Sequence, residues 1–252
     1  MERTKMDTVK ILGIAGSPRH GNTEIAVQEA LAAAKTLGDV APKFVSLAGK
    51  KIDSCIGCYR CYADASPQKW CVSLDDDMQE IFDYMLLADG IILGSPVYYG
   101  QVAGKCKDLM DRLGPFDHFA CSPYRGAMSH KVLGCIACSH TTHGGLEHTI
   151  NNIHLWGLVC DMIIVGPGTG LPTSCLFGAA SSQWPGNRDD EIKSRPNGEA
   201  LITCRNLGLT VAETTKIIRA GLKAYDHEES WRNWLKKYEP DWMRRQEKNW
   251  ME

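Results

Sequence analysis

Three of the chain's eleven cysteines are packed into "CIGCYRC", Cys55, Cys58 and Cys61, and Cys71 follows after nine intervening residues. Thiolates this closely spaced let one loop wrap a cubane iron–sulfur cluster, with the last ligand arriving from further along. Four thiolates satisfy a zinc ion equally well. In a third reading the thiols stay free, buried or redox-labile, and the residues alone leave all three open. Cys135 and Cys138 also spell Cys-x2-Cys, but inside the apolar run 131–139, where strand alternation sends their side chains to opposite faces. That pair is expected to pack rather than ligate. The opening "MERTKMDTVKILGIAG" reads as a first strand and not a signal peptide, so so many thiols, odd in number, suit a reducing cytoplasm.

A second stretch with chemical potential is "GIAGSPRHGNT", residues 13–23. Gly16 and Gly21 permit a tight path into a helix whose free amides and dipole attract an anion. Ser17, Asn22 and Thr23 add short polar side chains, and Arg19 can add a charge-assisted bond. Asn22 stands where a nucleoside-triphosphate loop would carry lysine, so a single terminal phosphate fits better than a triphosphate with magnesium. The plain alternative is a turn with Asn22 or Thr23 capping the helix.

Short apolar runs alternate with helical periodicity and must position these stretches. Strands are expected at 9–16, 43–47, 131–139 and 158–166 and in the first part of 90–100, where Ser95 and Pro96 end the strand and Tyr98, Tyr99 and Gly100 turn, and helices at 22–37, 74–89, 144–156 and 207–226. Such alternation implies a five-stranded parallel sheet covered on both faces, which binds ligands beyond the carboxyl ends of its strands. Residues 167–207, rich in Gly, Pro, Ser and Asn, read as an irregular excursion. A net charge of −2 and ordinary apolar (44%) and charged (23%) fractions give no reason to expect nucleic acid or an anionic membrane as partner. No run approaches the roughly 18 apolar residues of a membrane span.

"GSPRHGNT", "GSPVYYG" (94–100), the cysteine segment and "DDDM" (75–78), in that order, are similar to the NAD(P)H-dependent FMN reductase family, and most to its iron–sulfur flavoprotein branch. The resemblance covers roughly 9–165 and the closing helix. It implies a flavodoxin-like fold for 1–226, with the cysteine motif an insertion at 50–74 and an aromatic-rich extension at 227–252. It places the FMN phosphate on Ser17, Arg19, Gly21, Asn22 and Thr23, and the isoalloxazine ring beside Ser95, Pro96, Val97, Tyr98, Tyr99 and Gly100. Ser139, Gly144, Gly145 and Glu147 fall near the pyrimidine side, although Leu146 stands where glutamine is usual. A [4Fe-4S] cluster on Cys55, Cys58, Cys61 and Cys71 follows, with a longer gap before Cys71 than the family's.

His140 and His143 are candidates for a proton donor facing the flavin or substrate; with His148 they make at most a weak metal motif. The expected activity is FMN-dependent oxidoreduction fed by NAD(P)H or a ferredoxin-type carrier, in a cytoplasmic homo-oligomer, dimer or tetramer. A non-catalytic electron carrier or redox sensor is the alternative. Trp231, Trp234, Leu235 and Tyr238 share one helical face, which suits either packing on the same domain or an arm reaching a neighbouring subunit.

Overall fold

Val9, Ile11 and Ala15 fall on one face of the first strand, β1 (Val9–Ala15), Leu12 and Ile14 on the other, and both sets are buried. That alternation places β1 inside a sheet covered on two sides. The computed structural model describes residues 7–141, 144–168, 178–182, 199–225 and 230–251. Its strands β2 (Val40–Ser46), β3 (Gly90–Tyr98), β5 (Val132–Ser139) and β6 (Ile163–Val165) join β1 in the parallel order β2-β1-β3-β5-β6. A two-residue strand β4 (Gln101–Val102) turns back on β3, and β7 (Ala179–Ser182) pairs with β5 beyond β6. The expected five lanes are all present, the fifth filled by two short strands.

Helices α1 (Asn22–Lys35) and α6 (Glu199–Ala224) cover one face. The sheet beneath them is cut back to glycine: a Cβ on Gly13 would meet Val27 and Leu31, and one on Gly134 would meet Val211 and Leu207. At Gly208 a Cβ would run into the Ala30 backbone, so this glycine lets the two helices cross in contact. It lies inside α6 and not near its start, which corrects the expected 207–226 helix. The first nine residues of α6, and β7, fall in the stretch expected to be irregular. Leu201, Cys204, Leu207 and Val211, buried at helical spacing, carry the signal that the surrounding Gly, Pro and Ser obscured.

The other face carries α3 (Met78–Leu87), α4 (Gly104–Asp111), which had not been expected, and α5 (Leu146–Val159), which starts two residues later and ends three residues later than expected, so that the strand expected at 158–166 shrinks to β6. The cysteine segment contributes one helical turn, α2 (Cys61–Asp64). The extension forms α7 (Ser230–Tyr238) and α8 (Pro240–Met251), which pack on their own domain. Trp231, Trp242 and Trp250 are buried, Trp250 Nε1 donates to Ala41 O at 3.1 Å, and Trp242 meets Trp70 edge to face. Each such side chain contributes roughly 2 to 3 kcal/mol by leaving water, so the tail is a structural layer. Among the described residues no helix is long and apolar enough to cross a membrane.

Candidate functional site

Three loops at the carboxyl ends of β1, β3 and β5 meet in one cleft. The first supplies Ser17, Arg19, Gly21, Asn22 and Thr23, the second Pro96, Val97 and Tyr98, the third Cys138, Ser139 and His140. Gly21 precedes α1, and no side chain caps the helix. The cap expected as an alternative from Asn22 or Thr23 is therefore not the one formed, and the positive end of α1 opens onto the cleft. Ser17 spends its hydroxyl within the loop, donating to Arg19 O at 2.6 Å and accepting from Arg19 N at 3.2 Å. Gly16 passes against Cys106 of α4 with no room for a Cβ, its amide held by Gly94 O at 2.7 Å.

In the second loop β3 and β4 form a hairpin whose two tip residues, Tyr99 and Gly100, both have positive φ, 49° and 78°. This pattern suits the right-handed twist of a tight hairpin. Tyr98 lines the cleft half-exposed, and Tyr99 stands fully in solvent at the tip. Ser95 is completely buried beneath them, donating to Pro96 O at 2.9 Å and accepting from Ala103 N at 3.0 Å. It fixes the hairpin instead of lining the cleft.

The third loop divides in the same way. Ser139 and the exposed His140 line the cleft, whereas Gly144, Gly145 and Glu147 do not. Gly145, with φ 97°, begins α5 and lies against Gly100: a Cβ there would come within 2.7 Å of Gly100 Cα. The backbone of the third loop thus buttresses the hairpin of the second. Leu146, in place of the usual glutamine, is buried in the core. Cys135 and Cys138 sit on opposite faces of β5 as expected, but Cys138 also walls the cleft. Burial pushes its thiol up to about 12, opposed by a hydrogen bond with Thr23. His143 lies outside the described residues.

About the cysteine segment a second cavity opens, and all four of the singled-out cysteines line it. Cys71, which follows the longer gap, is brought to the same cavity as the others by its neighbour. Trp70 is completely buried against Phe116, Tyr124 and Trp242, its amide bound to Gln79 Oε1 at 2.9 Å. Gln79 Nε2 in turn holds Pro67 O at 3.0 Å, so the additional residues before Cys71 fold into an anchored turn. Burial and the neighbouring Cys71, Cys58 and Cys55 push the Cys61 thiol up to about 11, whereas the Ser73 hydroxyl, 3.1 Å from Cys58, holds that exposed thiol below its usual range. Among the described residues no group of three or more His, Cys, Asp or Glu converges closely enough to hold a metal ion.

One residue of this cavity carried no signal in the sequence. Arg112, almost wholly buried, lines it and forms a two-pronged ion pair with Asp76, Nη1 to Oδ2 at 2.7 Å and Nη2 to Oδ1 at 3.2 Å. Burial would raise the Asp76 carboxyl, but hydrogen bonds from Arg112 and from the Asp53 and Met78 amides hold it below the usual carboxylate range. The acidic run "DDDM" marked one partner of this pair; nothing local marked an arginine 36 residues away.

The model of the family described as NADPH-dependent FMN reductase matches residues 9–172. An iron–sulfur flavoprotein of Methanocaldococcus jannaschii is 39% identical over 213 residues, covering 84% of this chain and 100% of that protein. One from Methanosarcina thermophila is 36% identical over 159 residues, 63% of this chain and 78% of that one. Among solved structures, RosB with bound 8-demethyl-8-formylriboflavin-5′-phosphate matches with a TM-score of 0.63 at 11% identity, covering 92% of this chain and 87% of that chain. A WrbA-like flavodoxin from Agrobacterium tumefaciens matches with 0.54 at 14% identity, covering 84% and 99%. These likenesses show the fold to be flavodoxin-like.

Proposed function

This chain belongs to the NADPH-dependent FMN reductase family, in its iron–sulfur flavoprotein branch, and we propose that it passes electrons between NAD(P)H or a reduced ferredoxin-type carrier and an acceptor, using FMN and a [4Fe-4S] cluster. The observation that carries this reading is the meeting of three separate loops in one cleft at the uncapped start of α1. FMN supplies hydride and single-electron exchange, and a cluster supplies single-electron storage; the chain supplies placement. The opening amides of α1, with Asn22 and Thr23, hold the phosphomonoester, and Arg19 at the mouth adds positive charge. Pro96, Val97 and Tyr98 offer an apolar wall and backbone groups to a flat ring, and the rigid hairpin behind them keeps that wall in place. His140, at the rim, is the residue placed to move a proton.

All four cysteines line one cavity, which suits a cluster wrapped by a single short segment, and zinc is the competing occupant that metal analysis separates from it. We place the protein in the cytoplasm as a homo-oligomer; sedimentation showing only the monomer removes the latter. Anaerobic purification with a visible spectrum and assays for iron, sulfide and zinc tests the whole reading. The expected result is a yellow-brown protein with about four iron atoms per chain. A colourless protein that takes up no added FMN overturns it.

A further inference from the structure

We propose that Arg112 is a positioning residue of the cysteine cavity, clasping both ends of the cysteine segment and setting a positive charge and an unsatisfied N–H beside the sulfur atoms. The inference rests on the cluster reading above. Arg112 follows the last turn of α4, outside the segment, yet its Nη1 donates to Asp53 O and to Asp76 Oδ2, both at 2.7 Å. Asp53 lies two residues before Cys55, and Asp76 five residues after Cys71. The Asp53 amide also donates to Asp76 Oδ2 at 2.9 Å, which closes a ring through start, end and guanidinium. One side chain thereby fixes where the cysteine segment leaves the domain and where it returns.

Stability alone does not account for this pair. Both side chains are at most 2% exposed, and taking them from water costs several kcal/mol for each ion. Apolar residues of similar size would do as well or better. The Asp76 carboxylate is fully engaged, its oxygens accepting from Arg112 and from the Asp53 and Met78 amides. The guanidinium is not: its Nε is buried with no hydrogen-bonded partner, and an orphan buried donor costs about 1 to 3 kcal/mol. Arg112 lines the cavity with the four cysteines, whereas Asp76 does not, so the dipole of the pair turns its positive end toward the sulfurs. A cluster with four thiolates is an anion, and its sulfur atoms accept N–H bonds that set its potential. The orphan Nε fits that partner. Lysine cannot substitute, because a point charge lacks the planar fork that reaches Asp53, Asp76 and the cavity together.

A nearby positive charge favours the more negative, reduced state, so its loss must lower the potential. Arg112→Lys and Arg112→Gln in the anaerobic, flavin-loaded protein, followed by potentiometric titration of the cluster by electron paramagnetic resonance, test this. Expected is retained flavin with a tenfold shift toward the oxidised cluster in R112Q, 59 mV for one electron, and a smaller shift in R112K. Loss of iron with flavin retained also supports the clasp. Unchanged iron content and potential in both variants overturn the proposal while leaving the cluster reading intact. Wild-type protein that binds flavin but no iron overturns both. Should neither variant fold, wild-type protein labelled with 15N at arginine Nε decides: nitrogen coupling to the reduced cluster supports the clasp, and its absence overturns it.

Discussion

Around the cleft at the strand ends the chain works mainly through backbone, and around the cysteine cavity through side chains. The cleft exists because β1, β3 and β5 are parallel neighbours whose loops emerge together, and glycines let those loops touch: Gly16 under Gly94 O, Gly145 against Gly100. The cysteine cavity has no ladder of its own. It is held by the Asp76–Arg112 pair at its base and by Trp70 wedged among Phe116, Tyr124 and Trp242. A site made by topology should give way to changes in backbone freedom, and a site made by side chains to changes in charge and packing.

The largest expected effect isolates the second site. Cys58→Ser removes a proposed ligand from the exposed rim, so iron and sulfide should fall to background while flavin absorbance persists. Joint loss of both would show that the two regions are one cooperative unit.

Next comes a pH effect confined to the side-chain-built half. Asp83 of α3 is buried, accepting from Trp70 Nε1 at 2.5 Å and from Gln246 Nε2 of α8 at 3.0 Å. Burial pushes its carboxyl up to about 7, with the Trp70 bond and Arg245 pulling it down and Glu80 adding to the rise. Unfolded, the same group titrates near about 4. The folded state therefore holds an additional proton between those limits, and its stability falls as pH rises from about 4 to about 7, by up to about 4 kcal/mol. Thermal melts should show that decline, Asp83→Asn should flatten it, and hydrogen exchange should quicken in α8 before α1.

Gly145→Ala strikes the backbone-built half. Its Cβ collides with Gly100 at a φ of 97° that costs an L residue roughly 1 to 2 kcal/mol. FMN affinity measured by fluorescence titration should drop about thirtyfold, with iron content unchanged. Thr23→Val is the mildest: one hydroxyl is lost from the cleft, about 1 kcal/mol, and FMN should suffer while riboflavin, which has no phosphate, does not. Equal loss for both flavins would place the phosphate elsewhere.

What could be read in the sequence follows the same division. Topology and the glycine-bearing loops were legible because short apolar runs and their small-residue ends lie within a few positions of each other. The cysteines were legible as a cluster of types. Neither the return of Cys71 nor the hold of Arg112 was, since each depends on residues far along the chain: Trp70 on Trp242, Arg112 on Asp53. Gly208 looked like the start of a helix because its reason, the Ala30 backbone, lies on another helix. Ser95 and Gly145 sat in the right loops but support the cleft walls from behind, a distinction that needs three dimensions.

The split fifth lane has a consequence for engineering. β6 takes its register from Val132–Gly134 and β7 from Ile136–Ser139, each independently of the other. A substitution that loosens one of these short strands therefore leaves the other clipped in place, so each can be retuned without resetting its companion.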